Sequence, residues 1–249
     1  MDHDLKRVSI KAFRADENEE ECLKYVDGHR KVLETYGVTH VTSANLSWMK
    51  EPCYVILVEA TDTGEVLGGG RVQIATGNLP LPIETAINDL DTRIFDMVKE
   101  KIVHGGAGEY CGLWNSRKIA GYGIGSVVLV RIGIAILNQL NIGCLFAFCS
   151  PATVPISKSV GYRVIESLGN KGTFYYPKED LLATALLLED PLELEYADPE
   201  ERKIIFNLRE NPVYKDLQQG RRGMLEVDFN LQLTPFPDVT RQESNIVPL

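Results

Sequence analysis

The sequence predicts a mixed α/β (α+β) fold, and three stretches carry that expectation. Glu109–Trp114 (EYCGLW) has the length and aromatic content of a strand, and a glycine-dense loop leads from it into an apolar helix from Val127 to Leu140. Tyr54–Ala60 and Val66–Ala75 are apolar runs joined by Thr61–Gly64 (TDTG), which has the composition of a hairpin turn. Cys22, Tyr25, Val26, His29, Val32, Leu33 and Tyr36 recur at helical spacing, and Gly37 ends that pattern.

The remaining elements follow in order. Arg7–Arg14 alternates apolar and polar residues, as a half-buried first strand does. Asp16 precedes an acidic run that suits the positive end of the first helix and reads as a solvated turn. His29 and His40 have no partner at ligand spacing and are assigned structural roles. Gly68–Gly70 mark a bulge or a close backbone approach. Between Thr76 and Gly106, the rigid Leu79-Pro-Leu-Pro82 opens one amphipathic helix in which Ile83, Ile87, Leu90, Ile94, Met97, Val98 and Ile102 share a face. Such a helix either covers the core or lines a pocket. Cys144–Cys149 (CLFAFC) is a short strand, and Tyr162–Ser167, Phe174–Tyr176 and Leu181–Leu188 are extended, with a turn at Gly169–Gly172. Asp198-Pro-Glu-Glu201 starts a helix that runs to about Arg209. Gly223–Leu233 alternates and adds an edge strand, and Thr234–Leu249 is a draped tail with three prolines.

Composition narrows the function. With 249 residues the chain builds one core with elaboration, or barely two small domains. A formal net charge of −9 argues against nucleic-acid and anionic-membrane partners, both of which reward a basic face. Cys22, Cys53, Cys111, Cys144 and Cys149 lack CxxC spacing and read as reduced thiols of a cytoplasmic protein, with no metal implied. The opening MDHDLKR has no apolar core, so a signal peptide is not expected. The apolar helix is interrupted by Arg131 and Asn138 and is too short to span a bilayer.

The loop is the chemical centre. Gly121, Gly123 and Gly125 alternate just before the apolar helix, so successive amides can face one concavity beside the helix's unpaired N–H groups. That makes a phosphate cradle. A dinucleotide fingerprint would ask for glycine where Ser126 stands and for an acid closing the next strand, which instead ends in Cys149-Ser150. A Walker loop would need Gly-Lys-Ser/Thr, which is absent. A plain turn for close helix–strand packing stays open.

These residues resemble the GNAT superfamily of N-acyltransferases. AGYGIG (Ala120–Gly125) is similar to the family's Gln/Arg-x-x-Gly-x-Gly/Ala loop, with Ala120 at the Gln/Arg position. Glu109 lies eleven residues before it, where many members carry a glutamate. CLFAFC, SPATVPISKSV and Gly161-Tyr162 match the family's fifth strand, short helix and sixth-strand entry, so the resemblance covers roughly 55–166.

The resemblance implies a mostly antiparallel central sheet flanked by helices, built by residues 1–190 with a helical insertion at 76–106. Residues 191–249 are then an extension packed on the same domain. It implies acetyl-CoA or another acyl-CoA as donor and a small-molecule primary amine as acceptor, attacking directly, with Glu109 as general base. Backbone of Leu113, Trp114 and Asn115 would meet the pantetheine arm, and Ala120, Gly121, Tyr122, Gly123, Ile124, Gly125 and Ser126 the pyrophosphate. Ser157 stands where many members place a proton-donating tyrosine, and Gly112 where acyl-amino-acid and acyl-homoserine-lactone synthases carry arginine. The alternatives are a non-catalytic acyl-CoA-binding module and a synthase-like enzyme using a long-chain acyl carrier protein. Acyl length, acceptor and a homodimer are left open.

Overall fold

The structure, a computed structural model, describes residues 6–38 and 46–236. Among these, ten strands form one sheet: β1 (Arg7–Arg14), β2 (Cys53–Ala60), β3 (Val66–Ile74), β4 (Ala107–Asn115), β5 (Cys144–Cys149), β6 (Arg163–Val164), β7 (Thr173–Tyr175), β8 (Leu182–Leu188), β9 (Val213–Gly220) and β10 (Gly223–Asn230). Their order is β6-β8-β5-β4-β3-β2-β1-β10-β9, with β7 also on β8. Only β1–β10 and β4–β5 pair in parallel. The sheet is mixed and mostly antiparallel, as expected.

Strand alternation sends side chains to two different cores. Tyr54, Ile56 and Val58 of β2 join Val8, Ile10 and Val227 beneath α4 (Ser126–Ala135) and α6 (Pro199–Glu210). Cys53, Val55 and Leu57 point the other way, to α1 (Glu19–Thr35) and Trp48. On that second face, the insertion helices α2 (Pro82–Ile87) and α3 (Arg93–Val103) cover Ala107, Cys144, Phe146, Ala185 and Leu187. Burial on this scale, at about 25 cal/mol per Å² of apolar surface, holds the layers together. Arg131, the charge that interrupts the apolar α4, forms a two-pronged pair with Glu201 of α6 at 2.6 and 2.7 Å.

Several expectations need correction. The insertion holds two helices rather than one, because Asn88–Thr92 breaks the chain. Asp91 accepts from the backbone N–H groups of Arg93 and Gly169, and Leu90 faces solvent at 58% exposure. The strand expected at Tyr162–Ser167 shrinks to Arg163–Val164. Gly223–Asn230 is not at the edge: it lies between β1 and β9, and β9, too polar to be read as a strand, takes the edge instead. Asn18 caps α1, accepting from Glu21 N–H at 3.2 Å. His40 and tail residues 237–249 lie outside the described residues. Among the described residues, no helix is long and apolar enough to cross a membrane.

Candidate functional site

The sheet opens at its middle. β4 pairs with β3 as far as Asn115, but with β5 only over Ala107–Glu109 against Cys144–Phe146. Beyond Glu109 the two parallel strands part, leaving Tyr110–Asn115 and Ala147–Cys149 as the walls of a wedge. A bulge bends β4 here. The β3–β4 register slips between Gly69 and Arg71, and Gly112 sits at φ +59°. Tyr25 of α1 donates its hydroxyl to the Gly112 carbonyl at 2.7 Å, and a Cβ on residue 112 would run into that hydroxyl. Glycine at this position is therefore a steric requirement of this chain, and an arginine has no room.

At the wide end of the wedge the chain turns through Arg117–Ile119 into the glycine loop. Gly121 and Gly123 have φ of +86° and +85° and are exposed, while Tyr122 and Ile124 between them are buried in the core. The anchors hold the loop and the glycines present backbone outward. Gly125 caps α4 in extended conformation, so its glycine is not needed for backbone reasons; a Cβ there would meet nothing within 4 Å. Asn115 Nδ2 donates to Ser126 Oγ at 2.9 Å and ties the end of β4 to the start of α4. The first amides of α4 thus face an open space that an anion can fill.

Glu109 lies at the point where the strands part, 2% exposed. Its Oε2 accepts from the Ile83 N–H at 2.7 Å, in the first turn of insertion helix α2. Burial pushes its pKa up to about 7, against the opposing pull of the Ile83 amide and Arg71, with Glu84 adding to the rise. Glu84 itself is raised by burial and accepts from Leu81 N–H at 2.7 Å. Nothing in the sequence signals the Ile83–Glu109 contact, which joins residues 26 apart through tertiary packing.

Arg71, opposite Cys111 in the β3–β4 ladder, was legible as an arginine inside an apolar strand but was not singled out. It is buried, with its guanidinium 4.6 Å above the Trp48 ring. Cys111 beside it is pushed well above its ordinary range by burial, which suits an inert thiol. His29 is buried against Tyr25, and burial with nearby Arg71 lowers it to about 4, so it is a neutral packing residue. Ser157 is buried within 3.5 Å of Cys149 Sγ. Trp114 directs its indole toward α1, where a Cβ on Gly28 would strike it, so only its backbone faces the wedge edge. Leu113 is half-buried on the same edge. A groove along α6, lined by Glu193, Arg202 and Phe206, contains none of these residues. Among the described residues no cluster of His, Cys, Asp or Glu is disposed to hold a metal.

No family model and no curated protein matches the chain. Solved structures do. FeeM, an N-acyl amino acid synthase from uncultured soil microbes, aligns with a TM-score of 0.53 at 13% identity, over 71% of this chain and 95% of its own. Escherichia coli ElaA aligns with a TM-score of 0.50 at 9% identity, over 73% and 99% respectively. At these identities the likeness concerns the fold alone, which is GNAT-like.

Proposed function

We propose that this chain, which has the GNAT fold, is an N-acyltransferase moving an acyl group from an acyl-CoA to a primary amine. The observation that carries the reading is the parting of β4 and β5, with the glycine loop and α4 N-terminus at its wide end and a buried carboxyl at its apex. An unpaired strand edge offers backbone partners to the amide-bearing pantetheine arm. The open space at Gly125 fits a pyrophosphate, held by backbone amides of the loop and of the α4 N-terminus between Gly121 and Ser126, apart from that of Tyr122, which donates to the Ile119 carbonyl. A bound acyl-CoA would supply an activated thioester carbonyl.

An alkylamine is largely protonated near neutral pH and attacks only when neutral. Glu109 is suited to take that proton, because a pKa of about 7 is matched to the operating pH. The ammonium proton passes to Glu109 before attack; as the C–N bond forms and the C–S bond breaks, the nitrogen's second proton goes to the departing sulfur, and CoA leaves as the thiol. The Ile83 amide fixes the carboxyl's orientation. The insertion helix that provides it therefore stands on the acceptor side, where it limits which amines reach Glu109. Acetyl is the simplest donor group. Thiol release from acetyl-CoA and longer acyl-CoAs, measured with a panel of amines that includes free amino acids, tests the reading. Amino acids enter the panel because that acceptor class belongs to the activity of FeeM. Absence of amine-dependent thiol release across the panel, with CoA bound, would leave a non-catalytic acyl-CoA module.

A further inference from the structure

The chain is acidic overall, with 35 Asp and Glu against 26 Lys and Arg, yet cations gather at the glycine loop. Lys118 there is neutralised by Glu65 at 2.7 Å. Two more arginines arrive from the other end of the chain, at the tip of the β9–β10 hairpin. The tip is seated on the loop. Arg222 N–H donates to the Gly121 carbonyl at 2.9 Å. Gly220 lies so close to Gly121 and Tyr122 that a Cβ there would strike their backbone. The Arg222 stem passes 3.0 Å from where a Cβ of Gly121 would stand, and its guanidinium lies 4.8 Å from the centre of the Tyr122 ring. Among the described residues, neither Arg221 nor Arg222 makes an ion pair, and both are exposed.

An exposed arginine without a carboxylate is ordinary when it waves freely. Arg222 is not free: backbone, stem and ring contacts hold its charge beside Gly121, in the same loop that leads to the open cap at Gly125. We infer that the C-terminal hairpin completes the donor site, with Arg222, supported by Arg221, binding the phosphoryl groups of a phosphopantetheinyl donor. The inference rests on the proposed acyl-CoA reading. It assigns a cationic contact to residues outside the strand–loop–helix segment, in addition to the exposed Arg117 at the loop entry, since Ala120 stands where the family's loop carries Gln or Arg. A planar guanidinium suits this task, because it offers paired donors to phosphate oxygens.

The test is calorimetric binding of CoA, dephospho-CoA and pantetheine to the full chain, with melting temperature followed in parallel. Arg222→Met keeps the stem and removes the charge; Arg222→Lys keeps the charge. CoA affinity is expected to fall about tenfold in Arg222→Met. It is expected to be largely retained in Arg222→Lys, and to depend less on salt in the methionine variant. Pantetheine, which carries no phosphate, is expected to bind both variants like wild type. A methionine penalty that persists with dephospho-CoA places the contact on the diphosphate; a penalty that vanishes places it on the 3′-phosphate, and either supports the cation. Wild-type CoA affinity in Arg222→Met, with CoA lost in Gly125→Val, overturns the hairpin's role and leaves the donor reading standing. Equal loss in the methionine and lysine variants overturns it too, since charge would then not be the cause. If wild type binds no CoA, both readings fall.

Discussion

Among the described residues the sheet contains two parallel strand pairs, and they behave oppositely. β1 and β10 pair through five consecutive positions, Arg7–Lys11 against Glu226–Asn230, with Val8, Ile10, Leu225 and Val227 fully buried beneath them. An ion pair between Arg7 and Asp228 closes the exposed side, with Nε donating at 2.8 Å. β4 and β5 begin in the same way and then stop after three positions. The difference lies in what borders each pair. No bulge interrupts β1 or β10 within their pairing, whereas β4 carries the Gly112 bulge and is drawn sideways into the loop before α4. A buried strand edge without a ladder partner is costly. In the proposed function the open edge is where the donor's pantetheine arm would pair.

The comparison can be broken at several points. The largest effect belongs to the apex of the open pair. Glu109→Gln keeps an acceptor for the Ile83 amide but cannot take a proton, so turnover is expected to fall by roughly 10²–10⁴ with CoA affinity unchanged. The deficit is expected to shrink at high pH, where the amine deprotonates by itself. Steady-state kinetics across pH decides this, and wild-type turnover near neutrality would return Glu109 to a purely structural role. Next comes the closed pair. Leu225→Ala leaves a cavity in a fully buried site and is expected to cost about 2–5 kcal/mol in denaturant unfolding, with no change in donor affinity. A change in donor affinity comparable to the stability loss would mean that the two pairs are not independent.

The bulge comes third. Gly112→Ala puts a Cβ into a left-handed residue and against Tyr25, at an expected cost of about 1–3 kcal/mol, together with weakened donor binding. An unaffected melting temperature would show that the bulge is not what parts the strands. Gly125→Val is the sharper probe of the cradle, since residue 125 is extended and faces open space. A folded variant is expected to lose CoA affinity about tenfold, or 1.4 kcal/mol. Gly123→Val would be ambiguous, because its φ of +85° and the Gln219 carbonyl 3.3 Å away strain the fold and the hairpin together.

The smallest effect concerns pH and stability. Glu109 has a folded pKa of about 7, above its ordinary value of 4.5, so between those values the native state holds more protons than the unfolded chain. Its contribution is fully favourable below about pH 4.5 and declines as pH rises towards 7, with a slope of at most about 1.4 kcal/mol per pH unit. Glu109→Gln is expected to lack that slope in urea titrations at matched pH. Identical slopes in the two proteins would mean that the carboxyl is less enclosed than its surroundings suggest.

The insertion shows how helical spacing misleads. Ile83, Ile87 and Ile94 are buried as their spacing required, but Leu90 in the same register is exposed, because Asn88–Thr92 forms a turn. Ile94 behaves as the core-covering reading of the insertion requires. It is fully buried in the core shared with β4, β5 and β8, so Ile94→Trp would test packing, and the half-buried Met97 is the residue left to test specificity.

Local signals determined a good deal. Alternation set β1 at Arg7–Arg14, and an apolar run set β5 at Cys144–Cys149, both with their observed bounds. Alternating glycines set a loop at the entry to α4, with Gly121 and Gly123 at positive φ. Each of these is decided within a few residues, by φ/ψ freedom and by which side chains can be buried. Tertiary structure alone decided three things: that β4 and β5 part, that Ile83 donates to Glu109, and that Arg222 is seated on Gly121. Those contacts join residues between 26 and about a hundred positions apart, and no local propensity encodes them. They follow from how the two faces of one sheet are covered, which is settled only when the whole chain has packed.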